Sequence, residues 1–449
     1  MAIMRRKLFA DQEFYKKLRE LMIPIALQNL MLAAVSAGDA AMLGFVNESA
    51  MAAVSLAGNI QFVENLFLAG VVCGATILTA QYWGKGDKSA VERIFGLALK
   101  YALVIAASFS GFAWVFPGQL MSLFTNEAEL ITIGTDYVRI AAMSYLLTGI
   151  TQCYLCVMKT TGQTKQSVAI SSFALGLDTV LNAIFIFVFR MGAKGAALTT
   201  TISRIVELVI VFAYTRKMVV HPSLNKVSSV IHKDFLKCGI PVLINALVWG
   251  LGTTMYSVIL GHLGTAVTAA NSVANIVRQL AISLCRGLGA GGEILLANVL
   301  GSGDLAKGKV YGARLSKLSI LCGVVCGVMA LAFGAVLSHF MTLSDAARYN
   351  LNIMVAISCF YMVTQCINSI VICSVFSAGG DTAFDAYSVA VTMWGIILPL
   401  AAAAAFWWKW NPLVVYLILS LDEIVKIPWV YAHYKKYKWL NNITREETV

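Results

Sequence analysis

The chain has 449 residues, 59% apolar and only 13% charged, with a mean hydropathy of +0.77. That is more apolar surface than a water-soluble core can hide, which excludes a soluble enzyme or binding module and makes lipid the solvent. The formal net charge of +11 would suit an anionic partner such as nucleic acid only if it gathered on one folded surface, so its distribution decides its meaning.

Residues 5–20 place Leu8, Phe9, Phe14, Tyr15 and Leu18 among six basic residues, a pattern that suits an amphipathic helix on the anionic inner leaflet or a solvated tail. A helix crosses the hydrocarbon with about 20 apolar residues. Twelve such stretches follow, at 21–43, 51–83, 94–116, 130–158, 166–190, 195–217, 237–260, 266–300, 308–340, 349–378, 384–408 and 411–434. The first follows a charged segment and lacks a small-residue cleavage site, so no cleaved signal is expected. Lys and Arg at alternating loop ends divide 24 to 4 in favour of the N-terminal side, which predicts that both termini are cytoplasmic. The basicity is topology, and no nucleic-acid partner is expected.

Ionisable groups inside these stretches cost at least ~2.5–3.5 kcal/mol each and so raise a functional question. The first helix carries Asp39 near its outer end; the second carries Glu64, which has no partner within its own helix. The fourth holds Cys153 and Cys156 at CxxC spacing, and the ninth Cys322 and Cys326 one turn apart; these are expected to be reduced packing residues rather than a redox or zinc site. The fifth carries Asp178 and, one turn on, Asn182. The eighth combines Arg278, Arg286 and Glu293 with clustered glycines, and the two-turn spacing predicts a stretched Arg286–Glu293 ion pair. Arg204 with Glu207, and Asp422 with Lys426, sit at local pairing distances and are read, with Glu423, as structural. Gly84-Lys85 lacks the spacing of a nucleotide-phosphate loop, so ATP is not the expected energy source.

A shift of 217 residues superposes the halves: Pro24 on Pro241, Gly44 on Gly261, Ser55 on Ser272, Gly70 on Gly287, Gly74 on Gly291, and Gly84-Lys85-Gly86-Asp87 on Gly301-Ser302-Gly303-Asp304. Six helices per repeat return the chain to its starting side, so the two repeats are parallel. The expected organisation is a cytoplasmic amphipathic segment 1–20, an N-lobe 21–217, a cytoplasmic linker 218–236, a C-lobe 237–434 and a cytoplasmic tail 435–449.

These features resemble the multidrug and toxic compound extrusion (MATE) family: the run from Pro24 through Asp39 to Gly44, the Ala-Ala-Val-Ser-Leu-Ala-Gly segment 52–58, the two Gly-x-Gly-Asp loops, and Gly379-Gly380-Asp381-Thr382. The resemblance implies an all-α integral membrane protein with twelve transmembrane helices in two parallel six-helix lobes around a central cavity. It implies export of amphiphilic, often cationic small molecules in exchange for H+ or, as the lesser expectation, Na+; a monomer in the plasma membrane with no cofactor is expected. Asp39 takes the position of the family's first-helix carboxylate, and Asp178 with Asn182 stand as the cation-coupling partners in reversed order. Trp249 and Cys366 fall where one branch of the family carries acidic ligands, which shifts the expectation to the N-lobe. Glu64, Arg278, Arg286 and Glu293 are secondary site candidates. If both eighth-helix arginines face the cavity, a flippase for lipid-linked precursors is the rival function; a non-transporting receptor or scaffold is the other.

Overall fold

The computed structural model describes residues 12–44, 48–223, 227–340 and 344–445, and among them there are helices and no strands. The spanning helices are α1 (Gln12–Gly44), α2 (Glu48–Lys85), α3 (Lys88–Val115), α4 (Ala128–Thr160), α5 (Thr164–Ala183, continued by a wider π turn Ile184–Val188) and α6 (Gly192–Thr215). After the linker come α7 (Ser229–Gly261), α8 (Thr265–Ala281 and Ser283–Gly301, broken at Ile282) and α9 (Leu305–Phe340). Then follow α10 (Asp345–Ile370 with a π turn Val371–Phe376), α11 (Ala383–Trp407, twice widened to π geometry) and α12 (Pro412–Leu419 and Asp422–Tyr434). Among the described residues eleven are long and apolar enough to cross a membrane, the two pieces of α8 counted as one span; α12 is divided at Ser420–Leu421, where Asp422, Glu423 and Lys426 enter. The protein is therefore an all-α, multi-pass membrane protein of twelve transmembrane helices.

The duplicated loops show why the repeat is punctuated as it is. Gly86 and Gly303 both sit at φ +85°, a left-handed conformation that side chains disfavour. The aspartate after each caps the next helix: Asp87 Oδ1 accepts from the Ala90 amide at 3.0 Å and Asp304 Oδ1 from the Lys307 amide at 2.9 Å.

The chain divides into two compact units. One comprises Met1–Leu30 with Ile240–Thr444, the other Met31–Gly239 with Arg445–Val449. In the first, a Cβ at Gly287 of α8 would lie 2.7 Å from the Ala26 backbone and one at Gly291 would lie 3.0 Å from the Met22 nitrogen. In the second, the repeat-related Gly74 of α2 would meet the Phe235 carbonyl at 3.1 Å, while a Cβ at Gly239 would meet the Gly70 carbonyl at 2.7 Å. The glycines common to both repeats are thus close-approach sites for the first halves of α1 and α7.

The start of α1 is packed against protein. Phe14 is fully buried beneath the Tyr311 ring, 4.7 Å between centroids, with the Arg314 guanidinium 5.3 Å from its own ring; Leu18 is buried one turn on. Leu8 and Phe9 of the expected amphipathic segment lie outside the described residues. In the linker, Ser223 donates its amide to the Glu92 carbonyl at 3.0 Å, holding that strand of chain against α3; residues 224–226 lie outside the described residues.

Candidate functional site

In the unit that contains α2 to α6, polar side chains from four helices converge. Asn182 Nδ2 donates to Asp39 Oδ1 at 2.9 Å, joining α5 to α1, and the Thr199 hydroxyl of α6 donates to Asn182 Oδ1. Asn182 and Thr199 are buried. Asp178, one turn before Asn182, lies beside the Thr200 and Ser203 hydroxyls and within electrostatic reach of Asp39 and Arg204. Tyr137 of α4 is close to both aspartates. The three residues proposed from sequence as coupling partners therefore share one locality, and Thr199, Thr200, Ser203 and Tyr137 complete it; the hydroxyls of α6 are a signal that one helix's sequence does not distinguish from ordinary packing.

Glu64 extends this region. Its side chain is fully buried on α2, neither carboxyl oxygen has a hydrogen-bond partner among the described residues, and Arg204 and Tyr145 lie in its field. Arg204 is itself committed to Glu207 at 2.7 Å, the local pair that their spacing predicts. Lys159 is the second cation near Glu207. Asp39, Asp178 and Glu64 are thus three carboxyl groups whose nearby countercharge is at most a guanidinium already paired elsewhere. An uncompensated buried charge is costly, so such a cluster favours arrival of a positive charge.

The unit that contains α8 to α12 is balanced differently. Lys426 Nζ lies 3.1 Å from Glu423 Oε1, and both side chains are buried. The pair closes at the i,i+3 spacing with Glu423 rather than at i,i+4 with Asp422, whose Oδ1 instead accepts the Glu423 amide at 2.8 Å. Asn368 of α10 donates to Glu423 Oε2 at 2.8 Å, and Asn245 of α7 donates to Asp385 Oδ2 of α11 at 2.7 Å. Asp385 lies in the field of Lys426. Arg278 stands over the rings of Tyr361 and Tyr416 at 5.5 and 5.9 Å, hydrogen-bonds Asn275, and faces the charge of Asp422. Asp385 and the network through Asn245 and Asn368 escaped the sequence reading, although an acid inside an apolar helix is the signal for it.

Arg286 and Glu293 do not meet. Arg286 is exposed and donates to Gln279 Oε1 at 3.2 Å, while Glu293 Oε1 accepts from Ser377 at 2.6 Å. Seven residues separate their Cα atoms by ~10 Å along a helix. A closer polar partner wins in each case.

The MatE family model matches residues 24–184 and 241–403, two segments that begin at the repeat-related Pro24 and Pro241 and cover well over half of the chain. The chain belongs to the MatE family. It is 22% identical to the Probable multidrug resistance protein YoeA of Bacillus subtilis over 94% of each chain. It is also 22% identical to the Probable multidrug resistance protein NorM of Thermotoga maritima, over 97% of this chain and 95% of that one. Among solved structures, a mutant form of the Vibrio cholerae MATE transporter VcmN superposes with a TM-score of 0.88 at 18% identity, covering 96% of this chain and 98% of the other. A MOP superfamily transporter from Pyrococcus furiosus superposes with a TM-score of 0.87 at 16% identity, covering 94% and 95%. As a MatE protein the chain is a membrane transporter and not an enzyme.

Proposed function

We propose that this MatE transporter is a secondary active exporter of amphiphilic small molecules, coupled to protons at Asp39 with Asn182 and Asp178 as partners. The observation that carries it is the Asp39–Asn182–Thr199 chain of hydrogen bonds beside Asp178, in a region with little countercharge. An amide suits both protonation states of such a site. Its NH2 donates to the carboxylate, and after half a turn its oxygen accepts from the protonated acid, while a threonine hydroxyl can donate or accept in either arrangement. A drug cation and a proton then compete for one low-dielectric locality, which is what exchange requires. That two of its relatives are probable multidrug resistance proteins supports amphiphilic cargo. Arg278 spends its charge on Asp422 and two tyrosine rings, which weakens the lipid-pyrophosphate flippase reading.

The test is uptake of a panel of cationic and anionic dyes into proteoliposomes under imposed gradients. A pH gradient alone should drive accumulation against the dye gradient; accumulation that needs sodium and ignores pH overturns the proton assignment, and translocation of lipid-linked precursor without dye flux favours the flippase.

In the same proposal the protein works as a monomer in the plasma membrane, with both termini and the linker cytoplasmic. Lys233, exposed on the first turns of α7 where the expected linker ends, reports on this. In a background without native cysteines, a Lys233→Cys protein should resist an impermeant maleimide added to intact cells and react after permeabilisation. Reaction in intact cells reverses the topology.

A further inference from the structure

We propose that Cys285, Cys322 and Cys366 form a binding site for one thiophilic d10 metal ion, monovalent copper or zinc, with Cys326 in reach as a fourth sulfur. The three Sγ atoms come from α8, α9 and α10 and all lie within 4.8 Å of one another, and the Cys322 and Cys326 sulfurs are 4.0 Å apart. All four residues are buried and none is in a disulfide.

The backbone is shaped to bring them together. A Cβ at Gly323 would lie 2.7 Å from the Val363 Cα and 3.3 Å from the Cys366 Cβ, and one at Gly327 would lie 2.8 Å from the Cys359 carbonyl. This small-x-x-x-small pair on α9 therefore lets its backbone touch α10, which places Cys322 and Cys326 beside Cys366. The break of α8 at Ile282 starts a new helical piece whose first turn carries Cys285 into the same spot, next to Cys322, Cys366 and Ser369.

Sulfur donors select soft ions such as Cu+ and Zn2+ and reject the hard alkali and alkaline-earth cations. With a metal–sulfur bond of ~2.3 Å, three sulfurs around one ion stand ~4 Å apart, within the span observed. Three-sulfur coordination suits Cu+, and Zn2+ would draw its fourth ligand from Cys326, whose sulfur lies 4.0 Å from that of Cys322. Binding is ligand exchange: each thiol that ligates releases its proton, the metal keeps its oxidation state, and no oxidant enters. The negative charge so created lies in the field of Arg286, the neighbour of Cys285. A bound ion would clip α8, α9 and α10 together just beyond the α8 break. The CxxC pair offers a contrast within the same protein: Cys156 sits 3.1 Å from the Thr76 hydroxyl, engaged with oxygen rather than with a third sulfur.

The experiment uses the purified full chain in detergent under reducing conditions, titrated in separate arms with Cu+ buffered by bicinchoninate and with Zn2+. Bound metal is counted by mass spectrometry and its ligands are read by X-ray absorption. One ion per chain in an all-sulfur shell is expected in at least one arm. Cys366→Ser and Cys285→Ser should each weaken it by at least ~10-fold, since loss of an outer-shell partner alone already costs ~10–100-fold, and Cys153→Ser should leave it unchanged. Should the serine variants fold poorly, wild-type protein still decides: bound metal must protect Cys285, Cys322 and Cys366 from a membrane-permeant alkylating reagent, and leave Cys153 and Cys156 as reactive as before. A metal content near zero in both arms, an oxygen or nitrogen shell, or protection confined to Cys153 and Cys156 overturns the proposal.

Discussion

Asp39→Asn should reduce export driven by a pH gradient to the leak of protein-free liposomes, while expression and melting temperature stay near those of the wild type. The two halves of that expectation have separate causes. Asparagine keeps an oxygen where Asn182 Nδ2 now donates at 2.9 Å, so the contact between α1 and α5 has a replacement acceptor and stability should change by less than ~1 kcal/mol. It has no proton to bind or release near neutral pH, so the alternation between charged and neutral states is lost. A substrate shifts a conformational equilibrium only by its differential affinity for the two states. Without the charge at residue 39 a cationic substrate loses part of that difference, and downhill exchange of dye should outlast uphill transport. Asp178→Asn should weaken gradient-driven flux less, because Thr200 and Ser203 already surround that carboxyl with hydroxyls. Wild-type flux from the Asp39→Asn protein removes the coupling assignment.

The spanning helices were legible because each fills a bilayer with apolar residues, and α12 shows the limit: its hydropathy predicts one span, but Asp422, Glu423 and Lys426 mark where it turns. The repeat identified Gly70, Gly74, Gly287 and Gly291 as corresponding positions without saying why. The reason is tertiary, the close approach of Phe235 and Gly239 in one unit and of Met22 and Ala26 in the other. Asp39 and Asp178 stand out in sequence because charged groups are rare in lipid, and the family resemblance is what added Asn182 and the coupling role. Thr199 does not stand out, since nothing in the sequence of α6 marks that its hydroxyl faces Asn182. The Arg286–Glu293 expectation failed for the converse reason: spacing along one helix carries no knowledge of Ser377, just past the π turn that ends α10. Glu423 was read as structural within α12, but its partner Asn368 lies 55 positions away in sequence, beyond any local pattern.

Lys426→Met should be the most destabilising single change in the charged cluster of α7, α8 and α10 to α12. Lys426 is one of two cations there, with Arg278, against Asp385, Asp422 and Glu423. Removing one member of a buried pair leaves the other as an uncompensated charge, at a cost of ~3–5 kcal/mol. Its 3.1 Å partner Glu423 would then depend on the Asn368 amide alone, and Asp385 would lose its cation while keeping the amide of Asn245. Methionine fills most of the lysine volume, so the loss reads as electrostatic rather than as a cavity. Adding Glu423→Gln to Lys426→Met should recover part of the lost melting temperature, because the glutamine still accepts from Asn368 and carries no charge; coupled neighbours interact by ~0.5–3 kcal/mol in such cycles. Thermal melts of the wild type, both single variants and the double variant decide it. A Lys426→Met protein that melts with the wild type, or a double variant that melts below Lys426→Met alone, would show that the ammonium is not what holds these three carboxyl groups in the membrane.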